Sequence, residues 1–156
     1  PNNGDCAVAS VVAEMRRLNL NSRIVRERLD PLSPVDINTA RQHLAEQTHR
    51  MLLNKTQLAR LGDAKVTEVK NLARDLGKHQ TNVSALALRW LVEYMYDIKC
   101  VVSWRKDQDS EFMMLDWDGY YVHDDDDVDK ITPSDTMVLL YDEQSTHTMS
   151  IKSMSD

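Results

Sequence analysis

The hydrophobic pattern changes its period once, at Asp97, and that single change constrains the fold more than any other feature of the chain. Before it, apolar residues recur at helical intervals. The turn-forming cluster Pro1-Asn2-Asn3-Gly4-Asp5 leads into Cys6-Ala7-Val8-Ala9-Ser10-Val11-Val12-Ala13-Glu14-Met15, which places Cys6 at or near a helix N-terminus. A Pro-bearing break at 30–34 follows, and Val35, Ile37, Ala40, Leu44, Met51 and Leu52 then predict a long amphipathic helix. Two further helices are expected over 64–76, stopped by Gly77, and over 83–96, with Leu86, Trp90, Leu91 and Met95 on a buried face.

After Asp97 the runs are short and rich in β-branched and aromatic residues: 100–104, 112–117 and 119–122 read as strands. Four consecutive aspartates, Asp124 to Asp127, mark a loop. Residues 136–141 and 148–151 then read as a strand pair joined by Asp142-Glu143-Gln144-Ser145-Thr146-His147. Helices followed by strands predict an α+β domain, a helical N-terminal two-thirds packed on a small, mostly antiparallel C-terminal sheet. No internal repeat or heptad array interrupts that order.

A length of 156 residues predicts one domain spanning 1–156, large enough to bury about 70% of the unfolded chain's surface. No uncharged apolar run approaches the ~18 residues of a membrane span, and the N-terminus lacks the order of a signal peptide, so a soluble, cytoplasmic protein is expected. Nineteen basic against 25 acidic residues give a net charge of -6, the wrong sign for holding phosphates by counterion release. Nucleic acid and membrane are excluded as expected partners. Two cysteines, Cys6 and Cys100, are too few for a disulfide framework at this size. A start at Pro1 suggests a domain excised from a longer protein.

Cys6 and His147 are the pair with chemical promise. A thiol at a helix start meets the positive end of the macrodipole, and a Gly-containing turn before it leaves backbone N–H groups free for an oxyanion. An imidazole at the mouth of the terminal hairpin could take the thiol's proton and return it to a leaving amine. On these residues alone, the alternative is a small buried cysteine and a solvated loop histidine.

Asn3-Gly4-Asp5-Cys6 resembles the Asp-Gly-Asn-Cys signature of ovarian-tumour (OTU) type cysteine proteases, a papain-like group, with Asp and Asn exchanged and Ser10 at a position that is small in the family. Residues 85–102 are similar to the family's helix that turns into a core strand, and Met137-Val138-Leu139-Leu140-Tyr141 with His147 and Ile151 is similar to its closing strand pair. These blocks cover roughly half the chain. Two departures stand out: Ala7 and Val8 follow the cysteine where the family is bulky, and Met149 stands where many members carry an Asp or Asn that orients the imidazole. Candidates for that third role are Asn3, Asp5, Asp142 and Ser150, with Asn3 preferred as an oxyanion-side donor. Asp5 flanks the thiol with negative charge, which opposes thiolate formation.

The resemblance implies acyl transfer, with Cys6 attacking an isopeptide or peptide carbonyl, His147 shuttling the proton, and N–H groups around Asn3, Gly4, Asp5 and Cys6 holding the oxyanion. It implies ubiquitin or a ubiquitin-like modifier as partner, bound through its Gly-Gly tail by a monomeric deubiquitinase. The alternatives are a papain-like autoprotease of a polyprotein, viral members of the family being of this kind, and a catalytically inactive protein-interaction domain. No cofactor and no metal are expected, since His43, His49 and His79 lack ligand partners at zinc spacing and His123 with Asp124–Asp127 lacks a calcium-loop pattern. The acidic loop reads as solvated, with attraction for a basic substrate as its other reading. Trp104 and Trp117, near strand ends, are candidates for lining a substrate groove, whereas Trp90, Cys100 and the methionines Met113, Met114, Met137, Met149 and Met154 are expected to pack.

Overall fold

The computed structural model of the chain describes residues 4–21, 37–120 and 135–150, with backbone alone at 19–21. Asn3, the break at 30–34, His123, the four aspartates, Ile151 and Met154 lie outside the described residues.

Helix α1 (Cys6–Asn21) buries Val8, Val11, Val12, Met15 and Leu18, a stripe that follows the helical period. Helix α2 (Ile37–Leu53) buries Ala40, Leu44 and Met51 as its pattern predicts, and with them two polar residues, Arg41 and Thr48. The Thr48 hydroxyl satisfies itself locally by donating to the Leu44 carbonyl at 2.7 Å. A short helix that the periodicity does not announce, α3 (Lys55–Leu61), is capped by Asn54, whose side-chain oxygen accepts from the Gln57 amide at 3.0 Å. Gly62, at φ 84°, ends it and starts α4 (Asp63–Leu76), which buries Val69, Leu72, Ala73 and Leu76.

Helix α5 (Ala85–Tyr96) begins at Ser84, whose hydroxyl accepts from the Ala87 amide at 3.2 Å, and ends at Asp97 in the left-handed conformation. It buries eight of its twelve residues, Leu88, Trp90, Leu91 and Val92 among them, and packs against α2, α4 and β1. The period change at Asp97 is therefore a physical corner: a left-handed cap turns the chain directly into the first strand.

Strands β1 (Lys99–Arg105), β2 (Met113–Leu115), β3 (Thr136–Asp142) and β4 (His147–Ser150) form one sheet in the order β2-β1-β3-β4. The outer pairs are antiparallel, but the central pair β1–β3 is parallel over seven matched positions from Lys99–Thr136 to Arg105–Asp142. The sheet is thus mixed. A parallel pair needs a crossover rather than a hairpin, and the chain from 106 to 135, which contains β2, supplies it. Of the expected strand at 112–117 only Met113–Leu115 is strand, and Gly119 closes a turn in which its amide donates to the Asp116 carbonyl at 3.0 Å.

Alternation along the strands sorts two faces. Cys100, Val102, Met137 and Leu139 face the helices and join the main core. Val101, Val138 and Leu140 face the other way and form a smaller cluster with Phe112, Met114 and Met149. The architecture is a helical N-terminal region packed against a small C-terminal mixed sheet. Among the described residues no helix is long and apolar enough to cross a membrane.

Candidate active site

Cys6 opens α1, and its position is set by the two residues before it. Gly4 has φ 90°, and a Cβ there would lie 1.7 Å from the Gln80 carbonyl oxygen, so only glycine lets the turn press against the 77–81 segment. The Asp5 carbonyl accepts the Ala9 amide at 2.8 Å, the first intrahelical bond. The amides of Cys6, Ala7 and Val8 precede that bond at the positive end of the helix. The Asp5 carboxylate pairs with Arg41 of α2 at 3.1 Å, with both side chains buried. The negative charge expected to oppose the thiolate is therefore matched by a cation.

Helix α1 lies along the free edge of β4. The Thr148 amide points at Cys6 Sγ at 3.5 Å, and Sγ lies 4.0 Å from the Thr146 carbonyl. The Ser10 hydroxyl sits 2.8 Å from the Cys6 carbonyl and 2.9 Å from the Thr148 carbonyl, sharing its proton between the two acceptors. Edge groups of β4 that would otherwise lack partners are satisfied by the first turns of α1.

The backbone on both sides of His147 thus meets the thiol, but the imidazole does not. Tyr141 and Thr148 are register partners, and both line the pocket on the helix face. His147 pairs with Asp142, and alternation puts these two on the opposite face, beside Met149 and Arg105. No hydrogen bond among the described residues joins Cys6 to the ring, and buried His147 Nδ1 has no partner. Burial holds the imidazole below the ordinary histidine range, while the Asp142 charge acts in the other direction.

Asp142 anchors the turn that carries the histidine. It accepts from the Ser145 amide at 3.0 Å, the Ser145 hydroxyl at 2.9 Å and Arg105 Nε at 2.6 Å. The Ser145 amide, more than the Arg105 charge, holds its carboxyl below the usual carboxylate range against the opposing effect of burial. Thr146, at φ 50°, completes the turn. Of the other candidates for a third role, Ser150 is buried in β4 two residues beyond Thr148, and Asp5 is committed to Arg41.

A pocket of about 310 Å³ opens beside Cys6. Its walls are apolar where Val83, Leu86, Val102, Trp104 and Leu115 line it, and polar toward Tyr141, Thr146 and Thr148. Trp104 stands where a groove-lining residue is expected. Trp117 does not share that pocket: it belongs to a second depression with Trp90, Glu93, Tyr94 and Asp97, where its ring lies 5.9 Å from Trp90 and its Nε1 donates to Glu93 at 3.1 Å. Cys100 is fully buried, and desolvation pushes its thiol far up, as befits a packing residue.

Arg41 and Tyr141 are the site residues that sequence reasoning passes over. Arg41 had a signal, since 37, 41, 44, 48 and 51 share one helical stripe and a cation in that stripe must find buried acceptors. Tyr141 had none; its phenol is raised by burial first, and by Glu143 and Cys6 after that. Among the described residues no group of three His, Cys, Asp or Glu side chains is placed to hold a metal. No protein-family model, curated protein or solved structure matches this chain.

Proposed function

We propose that the chain is an OTU-like thiol hydrolase that cleaves the peptide or isopeptide bond after the Gly-Gly tail of ubiquitin or a ubiquitin-like modifier. The observation that carries this reading is the placement of Cys6: a thiol at the start of α1, at the edge of a 310 Å³ pocket, with the Thr148 amide directed at its sulfur. Cys6 attacks the carbonyl carbon. The first-turn amides receive the oxyanion, the amine leaves with a proton, and water releases the acyl group from the thioester. His147 is the base, and burial favours the neutral imidazole that this role requires. For turnover the turn carrying His147 must bring its ring to the helix face of β4.

A second reading has its own observation. With the imidazole across the sheet from the thiol and Nδ1 unpartnered, the domain binds a protein tail in the Cys6 pocket without cleaving it. An autoprotease is distinguished by a single cut within its own polyprotein. A ubiquitin probe with a C-terminal electrophile, applied to the wild type, Cys6→Ala and His147→Ala, separates these readings. The hydrolase forms a covalent adduct that Cys6→Ala abolishes and His147→Ala slows by at least about a hundredfold. A folded wild type that forms no adduct removes the ubiquitin-directed hydrolase.

A further inference from the structure

We propose that Arg41 is a positioning residue for Cys6: it neutralises Asp5 and ties the turn before the thiol to the segment that leads into the pocket wall. The inference rests on reading Cys6 as the nucleophile. Arg41 is 2% exposed, yet it carries a full charge into the interior, and its partners account for where that charge goes. Nη1 reaches the Asp5 carboxylate at 3.1 Å and the Gly4 carbonyl at 3.4 Å. Nη2 donates to the carbonyls of Asp75 at 2.6 Å, Lys78 at 2.7 Å and Thr81 at 3.0 Å, and Nε to that of Leu76 at 3.3 Å.

One guanidinium therefore joins the end of α4, the 78–81 turn and the turn that precedes Cys6. The chain continues from Thr81 into 82–86, five residues that line the pocket. A helix needs no such hub merely to begin, because Asp5 could cap α1 with its own side chain. A planar donor set that reaches a carboxylate and several carbonyls at once is what arginine supplies and lysine does not.

The electrostatic part of the role is specific. Among the described residues, Asp5 is on the thiol's own turn and paired with Arg41 from α2, Tyr141 from β3 lines the same pocket, and His147 from β4 lies on the other face of the sheet. Asp75 and Lys78 meet Arg41 through their carbonyls, and the Asp75 carboxylate turns to Arg74 at 3.0 Å. The wall from α5 brings no charge. Removing Arg41 takes away the cation that Asp5 meets at 3.1 Å, on the residue next to the nucleophile, and a local balance shifted toward negative charge disfavours the thiolate.

The test is the pH dependence of Cys6 alkylation by iodoacetamide, with the modified residue identified by peptide mass, in the full chain. Arg41→Met is expected to raise the midpoint by about one pH unit and slow alkylation near neutrality about tenfold. Asp5→Asn, which keeps an acceptor for Arg41, is expected to lower the midpoint and speed the reaction. The double variant returns the midpoint toward the wild-type value. The proposal is overturned if Asp5→Asn leaves the midpoint where it was, or if the double variant stays as slow as Arg41→Met, the behaviour of a purely structural hub. Should Arg41→Met fail to fold, the Asp5→Asn arm decides alone. Iodoacetamide needs no ubiquitin, so this result and that of the ubiquitin probe can fail independently.

Discussion

The two halves of the candidate site are built differently. On the thiol side, side chain and backbone are both fixed: Gly4 is pressed against Gln80, Asp5 is paired with Arg41, and Ser10 ties the first turn of α1 to β4. On the histidine side only the backbone is fixed. Asp142 clamps the turn through Ser145 and Arg105, while the His147 ring lies on the far face with Nδ1 unpartnered. A buried polar network over-determines one partner, and the other is left to the pleat of an edge strand.

The largest expected effect tests the thiol side. Gly4→Ala adds a Cβ against backbone at a positive φ and is expected to cost about 3 kcal/mol or more, read from urea unfolding. A loss below about 1 kcal/mol would mean the turn can move away from Gln80, and the contrast between the halves would collapse. Next in size is Asp142→Ala, which strands Arg105 and frees the 142–147 turn. Its expected cost is about 2 kcal/mol, with faster amide exchange at Ser145 and Thr146 and none at Ala9. Equal loosening on the α1 side would show that the halves are one cooperative unit.

The smallest effect is one of pH. The folded His147 binds its proton less readily than the unfolded chain does, so its share of stability is present above the ordinary value of 6.5 and is lost as the pH falls below it. Asp142 acts in the same direction at lower pH, since its contribution is lost only as the pH falls from 3.8 through its depressed value. Thermal melts between pH 7.5 and 5 should decline for the wild type and flatten in His147→Gln. An unchanged slope in that variant would assign the decline to another group.

The sequence carried the helices well where one stripe was apolar. The periods of α1, α2, α4 and α5 are legible because burial of one face must repeat every 3.6 residues. It missed α3, seven residues held by the Asn54 cap and neighbours rather than by a stripe of its own. It placed Cys6 at a helix start because Gly4 and Asp5 punctuate the chain, and Trp104 in the pocket wall because a strand end is where a ring can be half-covered. On the same argument it offered Trp117, whose ring lies beside Trp90 and outside that pocket.

Local pattern determined the helix-then-strand order, the corner at Asp97 and the turn before Cys6, because each depends on residues within a few positions of one another. Strand order, the parallel β1–β3 pair and the face on which His147 lies were decided only by tertiary structure. They depend on which distant segments pair and in what register, and a shift of one residue along β4 would carry the imidazole to the other side of the sheet. The same holds for Arg41: the stripe at 37, 41, 44, 48 and 51 says that its charge is buried, but only the folded chain brings Asp5 and the carbonyls of 75–81 within its reach.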